Sequence, residues 1–306
     1  MAKLRFARHR FVLKSVAVVL LAALPALAGG CGMRSDIVIG AQTFTEAKIL
    51  AEMYRALIED RTDASAEVIP DLASSPLVVS ALIRGDVDVA TLYSGEIFNN
   101  HFPIENTKER ARVLEQAQQG FRKYFNLEWF DPLGFENTYA FTVRKDVAEQ
   151  NGYSKISDVK PDAASMRLGV DTTWLERPSD GYPAFAKHYG IRFGTTYPME
   201  LALVYQAVAN KQVDIVLAYS TDSRLKAYNL QTLEDDKQFF PPYDASTVMR
   251  GEIASEYPEA KTALAELIGT LDVETMIDLN YQVDIEKKSE REVATAYLKQ
   301  VGLLKE

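Results

Sequence analysis

Tyr219 and Tyr243 stand where tyrosine has two different uses. Both fall in the stretch AYSTDSRLKAYNLQTLEDDKQFFPPYDA, residues 218–245. Tyr219 ends an apolar run and Tyr243 follows two prolines in a charged loop. A tyrosine ring offers a negative face to a cation and a hydroxyl to a hydrogen-bond partner. The plain alternative is half-buried packing under a loop. A third ring bears on the choice. ALIRGDVDVATLYSG (81–95) and AVANKQVDIVLAYST (207–221) align at a constant offset of 126 residues, matching Ala81 to Ala207, Val87 to Val213, Asp88 to Asp214, Val89 to Ile215, Tyr93 to Tyr219 and Ser94 to Ser220. Each copy reads as a helix end, a charged turn and a strand with the tyrosine at its carboxyl end, and in the strands Val87, Val89, Thr91 and Tyr93 share one face, as do Val213, Ile215, Leu217 and Tyr219. Open α/β sheets bind ligands beyond that strand edge. Two rings at matched positions there favour a site over packing.

Other chemistries find little support. Cys31 is the only cysteine, so no disulfide, Cys-metal site or body thiol nucleophile is expected. The chain has three histidines. His9 falls in the N-terminal segment, His101 lies in a loop-like NNHFP, and His188 closes a helix just before Gly190, where a cation suits the dipole. Neither His101 nor His188 has a partner at metal-ligand spacing. No GxSxG, HExxH, P-loop or GxGxxG occurs, so neither an enzyme nor a cofactor is indicated. A net charge of −9 argues against nucleic acid, whose phosphates need a basic surface.

The elements that position these residues alternate. The 306-residue length predicts two domains. DIVIGAQ (36–42) and MRLGV (166–170) read as strands; TFTE (43–46) is a capping-box pattern opening a helix whose stripe is Ile49, Leu50, Met53, Tyr54 and Leu57. TTWLE, a break at Pro178 and YPAFAKHYG follow the second strand, and residues 251–306 read as helices. The pattern predicts α/β lobes with mostly parallel sheets.

The first thirty residues carry Lys3, Arg5, Arg8, Arg10 and Lys14, then an uncharged apolar run that ends in Gly29-Gly30 before Cys31. This is a signal-peptide layout, too short in its apolar part to span a bilayer. Cys31 resembles a lipobox cysteine, although Leu27 sits four places before it rather than three. Cleavage there would take the net charge from −9 to −14.

IGAQTFTEAKILAEM, ALIRGDVDVATLYSGE, PLGFENTYAFTVRKD, the 218–245 stretch and LNYQVDIEKKSEREVATAYLKQVGLL together resemble one family, from about residue 36 to the C-terminus. It is the substrate-binding lipoproteins of bacterial osmoprotectant ABC importers, which carry glycine betaine, choline, carnitine and related compounds. The resemblance implies a two-lobed periplasmic-binding-protein fold of type II, a venus flytrap. It implies lobe one at 36–140 plus 241–306, lobe two at 141–240, a signal peptide at 1–30 and an anchor linker at 31–35. The chain would be extracytoplasmic, tethered to a membrane through lipidated Cys31, and would serve permease and ATPase subunits. Four tyrosines would cage a trimethylammonium head: Tyr93, Tyr139, Tyr219 and Tyr243. Arg177 of LERPSDGY resembles the arginine that holds a betaine carboxylate, with one residue inserted before Asp180. Two positions depart from the family. Gln42 stands where many relatives have lysine, and Glu96 where they have threonine. A cation is lost and an anion added, which tilts the expected ligand towards choline, whose hydroxyl Glu96 would accept, or towards a bulkier zwitterion such as ergothioneine. The alternatives are that Glu96 turns away to a surface cation, or that the solute is an amino acid.

Overall fold

The computed structural model describes residues 35–176 and 181–305. The expected signal peptide, Cys31 and Arg177 lie outside them. Ten strands are present among the described residues: β1 (Ile37–Gln42), β2 (Ala66–Leu72), β3 (Val89–Tyr93), β4 (Leu127–Glu136), β5 (Tyr139–Arg144), β6 (Arg167–Val170), β7 (Thr195–Pro198), β8 (Ile215–Tyr219), β9 (Leu230–Thr232) and β10 (Asp244–Arg250). They form two five-stranded sheets with the orders β2-β1-β3-β10-β4 and β7-β6-β8-β5-β9. The orders correspond strand for strand, so the internal repeat extends from one motif to the whole layer. In each sheet three neighbouring strands are parallel, and the fourth, β10 or β5, runs antiparallel to both of its neighbours. The expectation of mostly parallel sheets is corrected at those strands. Each follows a crossing between the sheets, and the chain arrives from the opposite end.

The spacing predicts one shared apolar face for each strand of the repeat. In the structure every residue of β3 is buried, because apolar clusters cover both faces of its sheet. Val89 and Tyr93 join one cluster, Ala90 and Leu92 the other. A strand covered on both sides selects apolar residues throughout. The helix Thr45–Arg61 buries Ile49, Leu50, Met53, Tyr54 and Leu57, the stripe expected of it. Helices Pro258–Ala265, Val273–Asp284 and Glu290–Gln300 of the tail pack Leu264, Met276, Leu279, Val293 and Leu298 into the same core.

The matched residues of the repeat perform matched work. Asp88 accepts the Val38 N–H of β1 at 2.9 Å, and Asp214 accepts the Arg167 N–H of β6 at 2.8 Å. Each also takes an arginine: Arg250 at 3.0 Å on Asp88, and Arg167 itself on Asp214 at 2.9 Å. Ser94 Oγ accepts the Asp244 N–H at 2.9 Å and donates to Pro242 O at 3.2 Å. Ser220 Oγ accepts the Thr138 N–H at 3.0 Å and donates to Glu136 O at 3.1 Å. One serine therefore ties down the segment before β10 and the other the segment between β4 and β5. These are the two places where the chain passes from one sheet to the other. Asp88 is 2% exposed at its side chain and Asp214 30%. Asp88→Ala leaves a buried N–H unpaired and takes from Arg250 its buried partner, with Glu252 at 3.5 Å remaining, so it is expected to cost about 3 kcal/mol. Asp214→Ala, half in water, should cost about 1 kcal/mol. Urea unfolding of the two variants measures the ranking.

Candidate functional site

A cavity of about 530 Å³ opens at the carboxyl ends of β1, β3 and β8, with Gln42, Tyr93, Glu96, Tyr219 and Tyr243 in its wall. Tyr93 and Tyr219 reach it as the last residues of β3 and β8, at the ligand edge the repeat indicates. Tyr243 comes from the loop immediately before β10. Its ring lies on bare backbone: a Cβ added to Gly95 would sit 2.3 Å from its Cε1. Next to the ring, Asp244 is buried and held in a two-oxygen grip by Arg110, with Nε at 2.9 and 3.0 Å. The loop tyrosine is thus held by a missing side chain below it and by an ion pair beside it.

Tyr139 reaches the site through a ring partner. It faces Tyr219 across the antiparallel β5–β8 pair, and the two rings stack with centroids 5.2 Å apart and planes 21° from parallel. A methyl group between two ring faces needs van der Waals contact of about 3.5–4 Å on each side. The gap is too narrow for that. Tyr139 and Tyr219 therefore form one thick wall rather than two sides of a box, and a cation would meet an outer face. The repeat explains the asymmetry: Tyr93 pairs across its sheet with Ala245, so the first lobe has no counterpart of Tyr139.

Both positions that depart from the family lie in the cavity wall. Gln42 is 9% exposed at the end of β1. Glu96 is 4% exposed, and one of its oxygens pairs with Nε2 of His101 at 2.6 Å. The alternative in which Glu96 turns to a surface cation is not what is seen. His101, from the NNHFP loop, holds Glu96 and packs 5.4 Å from the ring of Phe121. His188 accepts its expected place at the end of helix Tyr182–Tyr189 and meets Lys237 O at 2.8 Å.

Glu46 is the residue that sequence reasoning misassigned. The TFTE pattern predicts a capping box, yet the helix has Phe44 as its N-cap and no side-chain cap. Glu46 turns inward instead, 2% exposed, and accepts hydrogen bonds from the Tyr93 hydroxyl and, at 3.3 Å, from Nδ2 of Asn137. Burial raises its pKa above the ordinary carboxyl value, and the surrounding Tyr93, Thr221, Asn137 and Asn280 side chains oppose this without reversing it. Burial, and secondly the nearby Glu46, push the Tyr93 hydroxyl far up, so it stays a donor. The signal that could have found Glu46 is an acidic residue on the apolar side of its helix, beside Ile49, Leu50 and Met53.

The cleft is acidic. Glu46, Glu96, Asp222 and Asp284 line it, and among the described residues the cation in the wall is Arg224. That guanidinium is engaged twice on Asp222, with Nε at 2.8 Å, and lies 4.1 Å over the Tyr205 ring. No group of three or more His, Cys, Asp or Glu among the described residues is placed to hold a metal ion.

Residues 35–300 match the family model described as the substrate-binding domain of an ABC-type glycine betaine transport system. The carnitine transport binding protein OpuCC of Listeria monocytogenes is 40% identical over 276 residues, 90% of this chain and 89% of that one. The ergothioneine transport permease/ergothioneine binding protein EgtU of Helicobacter pylori is 32% identical over 267 residues, 87% of this chain and 48% of that longer one. A crystal structure of a glycine betaine/carnitine/choline ABC transporter protein superposes with a TM-score of 0.85 at 38% identity, over 88% of this chain and 99% of that one. The matched sheets, the ringed cleft at their strand ends and these likenesses lead to one assignment: the chain is a two-lobed solute-binding protein of ABC importers and belongs to the family of substrate-binding domains of glycine betaine transport systems.

Proposed function

We propose that this protein captures a quaternary ammonium compound such as choline, glycine betaine or carnitine outside the cytoplasm and delivers it to the permease and ATPase subunits of an ABC importer. The observation that carries the reading is the convergence of Tyr93, Tyr219 and Tyr243, from three separate segments, on one acid-lined cavity. A trimethylammonium group has no N–H to donate, so ring faces and excess negative charge are what can hold it. Tyr139 contributes by stiffening Tyr219. Gln42 and Glu96 set the preference for the rest of the molecule, and Arg177 is proposed as a carboxylate anchor. Lobes at 36–140 with 241–306 and at 141–240 would close on the ligand, since only the closed form brings rings of both lobes to it. Cys31 is proposed as the lipidated residue that tethers the protein.

Titration calorimetry with choline, glycine betaine, carnitine, ergothioneine and arginine tests this. Binding of one or more trimethylated compounds with arginine silent is the expected result; arginine alone, or no binding, overturns it. Gly95→Ala should weaken that binding at least tenfold, because its new Cβ displaces the Tyr243 ring. A zwitterion such as ergothioneine is the second reading, favoured by the likeness to EgtU, and it ranks below the others because OpuCC is the more similar protein.

A further inference from the structure

The carboxyl of Glu46 is one proton short of a closed hydrogen-bond ring. Its Oε1 accepts from Nδ2 of Asn137 at 3.3 Å and from the Tyr93 hydroxyl. Its Oε2 is buried without a hydrogen-bond partner, and so are Oδ1 of Asn137 and Oδ1 of Asn280. The orientation of both amides is fixed by what their nitrogens do: Asn137 donates to a carboxyl oxygen and Asn280 donates to Thr221 O at 2.9 Å. Three acceptors are thus buried around one carboxyl without a hydrogen bond of normal geometry, although the Thr221 and Asn280 side chains lie beside it. Native structures leave few buried polar atoms unpaired, and each one costs free energy. A carboxylate offers no remedy, since it only accepts. A carboxylic acid does. An amide and an acid can exchange two hydrogen bonds, and here the N–H···O half is already formed.

We propose that Glu46 is a neutral carboxylic acid in the folded protein, that its Oε2–H donates to Oδ1 of Asn137, and that this acid–amide pair is the positioning element for Tyr93. The location gives the pair its purpose. Asn137 lies in the crossing between β4 and β5, Glu46 in the first turn of the helix after β1, and Tyr93 at the end of β3. The pair ties the crossing to a ring of the cleft through one side chain. Other titratable groups face Glu46 from the elements around it: Tyr54 of its own helix and Tyr93 of β3 both feel its charge. Glu96, Asp222, Arg224 and Asp284 share the cavity wall with it. Asp222 and Arg224 neutralise each other.

The proton on Glu46 holds whichever ligand the cleft takes, whereas the role in positioning Tyr93 for a ligand rests on the cage reading. Infrared difference spectroscopy of the full chain against its Glu46→Gln variant, near neutral pH, tests the proton directly. A carboxylic-acid carbonyl band present in the parent and missing from the variant is expected; a carboxylate band alone overturns the proposal. Binding tests the positioning. Glutamine reproduces both hydrogen bonds of the neutral acid, accepting at Oε1 and donating at Nε2. Glu46→Gln should therefore bind the trimethylated ligand within threefold of the parent, while Glu46→Ala loses at least tenfold. If Tyr219→Ala abolishes binding and Glu46→Ala leaves it unchanged, the cage stands and the positioning role falls. If the acid band is present and the panel shows no trimethylated ligand, the proton stands and the cage falls.

Discussion

Tyr219→Ala is expected to weaken binding of a trimethylammonium ligand by a hundredfold or more, the largest effect of any single ring. The substitution removes one cation–π face, of about 0.5–2 kcal/mol, together with the burial of methyl groups against it. It also strips Tyr139 of the ring it stacks on, which leaves a second aromatic side chain without its place in the wall. Together these exceed about 2.7 kcal/mol, which is a hundredfold in Kd. Tyr219→Phe keeps the face and the stack, so it should stay within a few-fold of the parent. Tyr139→Ala should fall between the two, because it acts through Tyr219 alone. Calorimetry of the three variants with one ligand gives the order; an equal loss in Tyr219→Phe would place the energy in the hydroxyl and contradict the ring-face account.

Glu46→Gln is expected to stabilise the protein, and increasingly so as pH rises. Burial raises the folded-state pKa of Glu46 above the ordinary value of 4.5. The folded chain then holds a proton that the unfolded chain has given up. Its contribution is fully present below the unfolded value and is lost as pH climbs through the folded one. Glutamine has no proton to lose. Parent and variant should therefore match in mild acid and diverge above the unfolded carboxyl value. Above the folded value the divergence levels off, with the variant ahead by about 1.4 kcal/mol for every pH unit between the unfolded and the folded value. Thermal or urea unfolding across the pH range reads the difference. Parallel curves at every pH would mean that Glu46 titrates alike in both states.

The site was more legible in the sequence than the reasons that hold it together. The offset between Tyr93 and Tyr219 brought out two rings because strand ends recur when a whole lobe recurs. The family likeness added Tyr139 and Tyr243, and the structure places Tyr243 in the wall and Tyr139 on Tyr219. That stacking is a cross-strand contact between residues 80 positions apart, and local pattern carries no trace of it. Glu46 shows the opposite failure. A short-range rule for helix starts assigned it to its own backbone, and a long-range partner, Tyr93, claimed it instead. The antiparallel strands β5 and β10 escaped the parallel-sheet expectation for a related reason. Strand direction is set by where the chain comes from, and the apolar pattern of a strand reads the same both ways.

We propose that the lobes swing about the two crossing segments held by the serines that follow the ring tyrosines. Ser94 and Ser220 each grip one crossing segment, and each is the next residue after a tyrosine of the cleft. Neighbouring Cα atoms are about 3.8 Å apart, so for a swing about those segments the tyrosine backbones would sit close to the pivot, with a short lever arm. A swing of the lobes that carries the cleft mouth far would move Tyr93 and Tyr219 little. A contact at the surface, Lys226 with Asp278 at 2.7 Å, would take more of the travel. The base of the receptor would then stay assembled while its rim opens. A ligand could settle on the rings before the lobes have shut, and closing would govern how slowly it leaves.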